Sequence, residues 1–488
     1  MKNKYTAKMC NNKMSFEECE YTILRHAIDE TENIKGKKQV NNEDVQKMLT
    51  IVEEFIVNKK LICYGGTAIN NILPKYAQFY RKDIEIPDYD FFSSNALEDA
   101  KELANIYYEK GYRDVEAKAG VHMGTFKVFV NYIPIADITL LHKELYENLL
   151  NDSIKIAGIH YCPPNFLRMG MYLELSRPEG DVSRWEKVYK RLNLLNQHYP
   201  ISNKVCKNTT KNVIDEKLYN LVCNTLVNND AIFFGGYAYN LYQQFYGNKS
   251  NNHTCFDVLA EDTNKLALII EEQLQQSEYK SIKKIVHEPV GEIIPEHIEI
   301  RVGTSTVAYI YKPIACHNYN IITNKKQEIK IATIDTILSF YLAFIYANHE
   351  HFEKNRLLCM SKFLFDLSEK NKTETNGVLK RFSIDCYGIQ STLESMRAKK
   401  SAQFKKLKND RNSKEYEMWF LNYTPYKLDN KTIVNKNSID IKDVQNSVKS
   451  LKKNSKKSSK SSTMKSKTIK TKKTRKNTPD FFKKLLIK

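Results

Sequence analysis

No run in the chain approaches the ~18–20 consecutive apolar residues of a membrane helix. The opening MKNKYTAKMCNNKM also lacks the apolar stretch of a signal peptide. The expectation is a soluble, intracellular protein without a membrane partner. Ten cysteines (10, 19, 63, 162, 206, 223, 255, 316, 359 and 386) include no CxxC pair, and eleven histidines include no HExxH. These absences argue against a zinc site and a disulfide framework, and for reduced thiols. His349 and His351 stand too isolated in sequence to suggest a metal.

What is present describes a folded chain. It has 488 residues, 42% of them hydrophobic, with 22 Phe and 30 Tyr. That is enough for two or three domains. Net charge is +19, but residues 449–488 hold 16 Lys/Arg against Asp480 alone, leaving only +4 for the rest. The stretch SLKKNSKKSSKSSTMKSKTIKTKKTRKN cannot bury a core and is expected to be disordered. It suits nucleic acid, where each neutralised phosphate adds salt-sensitive affinity. A solubility tail or a nuclear address is the alternative. The closing PDFFKKLLIK turns apolar and has the character of a docking segment.

A long repeat organises the rest. LICYGGTAINNIL (from Leu61) and AIFFGGYAYNLY (from Ala231) each read as strand, Gly-Gly turn and helix, 170 residues apart. VFVNYIPIAD (128–137) matches VAYIYKPIAC (307–316), and KIAGI (155–159) matches KIATI (330–334). Ahead of the first copy, NNEDVQKMLTIVEEFIVNKK places apolar residues at 45, 48, 49, 52, 55 and 56. That spacing predicts a helix capped by Asn42, with Glu43 and Asp44 on its positive end. The expected fold is α/β (α+β): tandem copies of one unit, N-terminal helices and a basic tail. Expected boundaries are an N-terminal helical segment 1–60, copies at 61–195 and 196–390, a helical extension 391–448 and the tail 449–488.

The first copy carries the chemistry. In PDYDFFS, Asp88 and Asp90 are two apart, so on a strand their carboxylates share a face. Asp137 lies in a second apolar strand, YIPIADIT. Three gathered acids would repel and take up protons unless a divalent cation joined them. Mg²⁺ or Mn²⁺ accepts carboxylate and phosphate oxygens together. A pair of such ions about 3.5–4 Å apart clamps both oxygens of an in-line phosphoryl displacement. Gly65, Gly66 and Thr67 sit where a strand meets a helix, a place where backbone N–H groups favour phosphate. Alone, a GG pair is usually a tight turn, a DxD usually two surface acids, and Asp137 an ordinary strand end. Together they point to phosphoryl transfer to a hydroxyl. In the second copy Cys255, Asp257 and Cys316 take the matching places, so that unit is expected to have lost its metals. The alternative, a soft metal on Cys255 and Cys316, lacks an obvious completing histidine beyond His317.

ICYGGTAINNIL, PDYDFFS, IPIADIT and ELSRPEGDVSRWEKVYKRL (174–192) resemble the poly(A) polymerase catalytic subunits of poxviruses and giant DNA viruses, mimivirus-like members included. That group is part of the polymerase-β-like nucleotidyltransferase superfamily. The resemblance spans roughly residues 15–425. Twenty-one residues (67–87) separate the GG turn from the DxD, a longer gap than in the superfamily at large, which fits the viral subgroup. The resemblance implies tandem nucleotidyltransferase-like domains with the active site in the first, a degenerate second, ATP as donor, an RNA 3′ end as acceptor and divalent metal. For partners it implies either a homodimer or a viral processivity subunit. For location it implies the host cytoplasm or viral factory, and packaging in the virion. Arg184 and Lys187 are candidates for triphosphate or RNA, with solvated surface cations as the alternative; Trp185 is expected to be a packing anchor. Competing functions are nucleotide transfer to another acceptor and a non-catalytic RNA-binding scaffold.

Overall fold

The computed structural model describes residues 9–11, 13–81, 83–202, 214–245, 254–324, 327–370 and 380–425. The expected tail 449–488 lies outside them. So do residues 426–448 of the expected helical extension; its described part forms helices Leu393–Leu407 and Lys414–Phe420.

The N-terminal reading holds in detail. A helix runs Glu43–Lys59, and the Asn42 side chain accepts from the amides of Asp44 and Val45. Such a cap is worth about 1 kcal/mol. Val45, Met48, Leu49, Val52, Phe55 and Ile56 are buried, the stripe that the spacing predicts. The preceding helix, Phe16–Val40, starts with a Ser15/Glu18 capping box and buries none of its residues.

Two mixed sheets follow. The first contains β1 (Ile62–Cys63), β2 (Tyr89–Ser93), β3 (Val115–Ala119), β4 (Thr125–Val130), β5 (Ile133–Leu140), β6 (Ile154–Ile156) and β7 (Ile159–Tyr161). The second contains β8 (Ile232–Phe233), β9 (Phe256–Leu259), β10 (Ile282–His287), β11 (His297–Val302), β12 (Ser305–Tyr311), β13 (His317–Asn324), β14 (Gln327–Ala332) and β15 (Cys386–Tyr387). A last strand, β16 (Asn422–Tyr423), returns to the first sheet. The strand orders are β16-β3-β4-β5-β2-β1-β7-β6 and β10-β11-β12-β9-β8-β14-β13-β15. With the added edge strands removed, β1–β7 and β8–β14 have the same order. They also share parallel β1–β7 and β8–β14 pairs, parallel β2–β5 and β9–β12 pairs, and a bulge at matching places. The internal repeat is real.

Pairing corrects its register. Asp90 is level with Asp137 across β2–β5, and Asp257 is level with Tyr309 across β9–β12. Tyr309, not Cys316, therefore stands where Asp137 stands. Likewise Tyr161 and Ile331 face Cys63 and Phe233, so KIAGI and KIATI are not equivalent. Alternating apolar strings ending in Pro-Ile-Ala look alike on any buried strand; only hydrogen-bond pairing separates them. Cys316 is bonded to Cys386 and Cys10 to Cys19, so the expectation of reduced thiols fails at these positions. Their partners come together only in the fold.

The modules meet through equivalent helices. Pro164–Leu175, which follows β7, packs on Ile334–Phe344, which follows β14. Every residue of the latter is buried, including Asp335, whose carboxylate is paired with Arg381. Phe166 meets Tyr346 edge to face at 5.5 Å, and the Asn318 amide donates to the Ser176 carbonyl at 2.9 Å.

Candidate active site

The Gly-Gly turn and the acids are brought together by the centre of the first sheet. Asp88 immediately precedes β2, and Asp90 is its second residue. The intervening Tyr89 points the other way, with its hydroxyl on Glu53. The Tyr64 amide donates to the Asp90 carbonyl at 2.9 Å, which ties the turn to the strand. Gly65 has φ +71, and a Cβ there would lie 2.7 Å from Asp90 Oδ2. Glycine is needed there for conformation and for room. The helix Gly65–Ile72 opens with no side-chain cap, so its first N–H groups are left for a ligand.

The three acids act on one another electrostatically. Burial, then the charges of Asp88 and Asp137, push the Asp90 carboxyl up to about 7. Burial and Asp137 also raise Asp88. Lys127, level with Asp137 on β4, pairs with its carboxylate and pulls in the opposite direction. One ammonium cannot neutralise three carboxylates. Hard oxygen donors with surplus negative charge fit a divalent cation such as Mg²⁺.

The other anticipated residues divide. Thr67 is buried and donates its hydroxyl to the Asp88 carbonyl at 2.7 Å, so it braces the acidic strand. Arg184 ends the short 3-10 turn Val182–Arg184 ahead of the helix Trp185–His198. It lies 3.4 Å from Glu174, and its charge reaches Asp90. Lys187 is exposed in the first turn of that helix, of which Arg184 is the N-cap residue. Trp185 is a packing anchor, its ring N–H on the Glu174 carbonyl at 3.1 Å.

Sequence reasoning missed Lys127, Tyr80 and Arg191. Arg191 donates to the Tyr80 hydroxyl at 2.9 Å and sits 4.8 Å over the Phe79 ring. A Cβ on Gly66 would fall 2.3 Å from that hydroxyl and 2.9 Å from the Arg191 guanidinium. Buried Asn70 holds this lid by accepting from the Phe79 and Tyr80 amides at 2.8 and 2.9 Å. The long 67–87 gap thus brings Tyr80 to the glycine turn, where the helix Trp185–His198 supplies Arg191. An open groove of about 1310 Å³ lies alongside, lined by Thr67, Tyr80 and Asp88 among others.

The equivalent place in the second module is closed. Asp257 pairs with His351 at 2.9 Å, and Tyr309 stacks on His351 at 4.3 Å. Only about 10 Å³ remains beside Gly236 and Arg356.

Two equivalent sheets, one with a glycine turn facing three acids and one without, define a tandem nucleotidyltransferase-like architecture. Comparison with known proteins agrees. Residues 50–181 match the family model of the poly(A) polymerase catalytic subunit, a stretch that contains the turn and all three acids. The candidate poly(A) polymerase catalytic subunit of African swine fever virus (isolate Pig/Kenya/KEN-50/1950) is 32% identical over 185 residues, 37% of this chain and 38% of that one. Its counterpart in Acanthamoeba polyphaga mimivirus is 29% identical over 194 residues, 38% and 32% of the respective chains. The matched stretch thus spans about a third of the length of these relatives. The crystal structure of the Megavirus polyadenylate synthase superposes with a TM-score of 0.71, covering 91% of this chain and 92% of that one at 20% identity. That likeness gives the fold over nearly the whole chain.

Proposed function

We propose that the chain is a template-independent polynucleotide adenylyltransferase that transfers AMP from ATP to RNA 3′ ends, with the reaction in the first module. The observation that carries this reading is the trio Asp88, Asp90 and Asp137 facing the Gly65–Gly66 turn, within the stretch matched by the family model. Asp88, Asp90 and Asp137 would hold two Mg²⁺ or Mn²⁺ ions, which when bound would supply charge neutralisation for the triphosphate and activation of the attacking hydroxyl. The chain's own groups do the rest. Free N–H groups of the Gly65–Ile72 helix start orient phosphate oxygens. Arg191 adds positive charge at Gly66, with Arg184 and Lys187 further out along the same segment. Tyr64 stacks on Phe92 at 3.9 Å and bonds Thr139 at 2.9 Å, fixing the turn beneath the reacting groups.

The module limits 61–195 and 196–390 follow from the same reading, with the second module as scaffold. RNA is the macromolecular substrate. We favour a homodimer over a processivity subunit: helix Phe16–Val40 buries nothing and leaves Tyr21, Leu24 and Ile28 exposed at helical spacing. Sedimentation of a monomer at micromolar concentration would remove that choice. Among the described residues no helix is long and apolar enough to cross a membrane; action in the host cytoplasm or viral factory, and carriage in the virion, belong to the proposal.

The test is extension of a short labelled RNA with Mg²⁺ or Mn²⁺ and each NTP separately, beside Asp88→Ala/Asp90→Ala. Extension with ATP alone, abolished in the variant, is expected. Equal activity in the variant would sink the site. Inactivity with every NTP would sink the RNA acceptor.

A further inference from the structure

We infer that the second module holds a zinc site of its own, built from His287, His297 and His349. His287 and His297 lie directly opposite each other on β10 and β11, their rings stacked at 4.7 Å. His349 comes from the segment ahead of the helix Lys354–Lys370, its ring 4.9 Å from His287 and 5.7 Å from His297. One ligand nitrogen from each lies within 4.8 Å of the others. Tetrahedral zinc with bonds of about 2.0–2.1 Å needs about 3.3 Å between nitrogens, a gap that small side-chain rotations close. Spacing alone does not reveal the cluster, because the three histidines are 10 and 52 residues apart and join only through strand pairing and a loop.

The ring nitrogens are already sorted. Glu299 is 1% exposed and accepts from Arg301, Thr306 and Tyr309, so it is an acceptor toward His287 Nε2 at 2.9 Å. His287 therefore carries its proton on Nε2 and keeps a lone pair on Nδ1. His297 Nδ1 faces the Pro295 carbonyl at 3.0 Å and must donate to it. That leaves a lone pair on His297 Nε2, which is buried and has no hydrogen-bond partner. A carboxylate on one imidazole and a carbonyl on another are the outer contacts that orient zinc-binding histidines. His349 is the weakest of the three: its Nδ1 accepts the His351 amide at 3.1 Å, a bond that coordination through that atom would replace. Three protein ligands leave a fourth position for water. The ion would tie the 349–351 segment to β10 and β11, and so hold His351 on Asp257 in the closed counterpart of the active site.

The full-length chain, loaded with Zn²⁺ and dialysed against excess Mg²⁺ to fill the carboxylate site, is assayed by plasma mass spectrometry and by competition with a zinc indicator. One retained equivalent is expected in the wild type and in Asp88→Asn/Asp90→Asn. His349→Gln, in the loop, and His287→Gln/His349→Gln should weaken binding at least tenfold. Co²⁺ in place of zinc should give visible ligand-field bands that these variants lose, with far-UV circular dichroism confirming that they fold. No retained zinc in the wild type, equal retention in the histidine variants, or loss with the aspartate variant would each overturn the site.

Discussion

Replacing Asp90 by Asn should stabilise the metal-free protein while destroying its activity. The folded state holds the Asp90 proton up to about pH 7, whereas the ordinary value is 3.8. Between these values the folded form binds more protons than the unfolded one. Metal-free stability is therefore full below about pH 4 and is lost as pH rises through about 7. The difference of about 3 units corresponds to about 4 kcal/mol as an upper bound. At about 2–4 °C per kcal/mol for a domain of this size, the variant should melt on the order of 10 °C higher at pH 8. Thermal scans in EDTA from pH 5 to 8 make the comparison: a falling Tm for the wild type, a nearly flat one for Asp90→Asn. Mg²⁺ at 100 times its Kd should return about 2.7 kcal/mol to the wild type and much less to the variant. A wild type that melts at or above the variant at pH 8 without metal would refute the reasoning.

Three further outcomes are expected. Gly65→Ala forces a side chain to φ +71 and against Asp90; it should cost about 1–3 kcal/mol in chemical denaturation and suppress RNA extension at least a hundredfold. Arg191→Ala removes a cation beside Gly66 and should raise KM for ATP about tenfold, the size of one charged hydrogen bond, with a smaller change in kcat. Deleting 449–488, which carries a net +15, should flatten the dependence of RNA affinity on salt and leave single-turnover chemistry intact. Collapse of that chemistry would put the tail in the active site.

The parts of this site legible in the sequence were those with a local signature. A glycine pair between strand and helix, two acids two residues apart and the six-residue stripe of Glu43–Lys59 are each set by near neighbours. Lys127 could not be read, because its role depends on standing level with Asp137 across a bulged strand pair. Arg191 and Tyr80 meet across 111 residues of chain. The repeat was found from its glycines but misaligned beyond them, since strand composition does not encode which neighbour a strand pairs with. For the same reason Tyr309, the residue that replaces Asp137, went unrecognised.

The packing of Pro164–Leu175 on Ile334–Phe344 makes this chain a dimer with a peptide linkage running through it. A tethered partner is present at a local concentration that no free subunit reaches. In the scaffold role proposed for it, the second module would serve the first while carrying Cys255 and Tyr309 in place of acids, so long as its helix face is kept. The same arrangement limits dissection: a catalytic module cut free after His198 would present its apolar helix to solvent. It should then recruit a second copy of itself, restoring as an association between chains what the intact protein does within one.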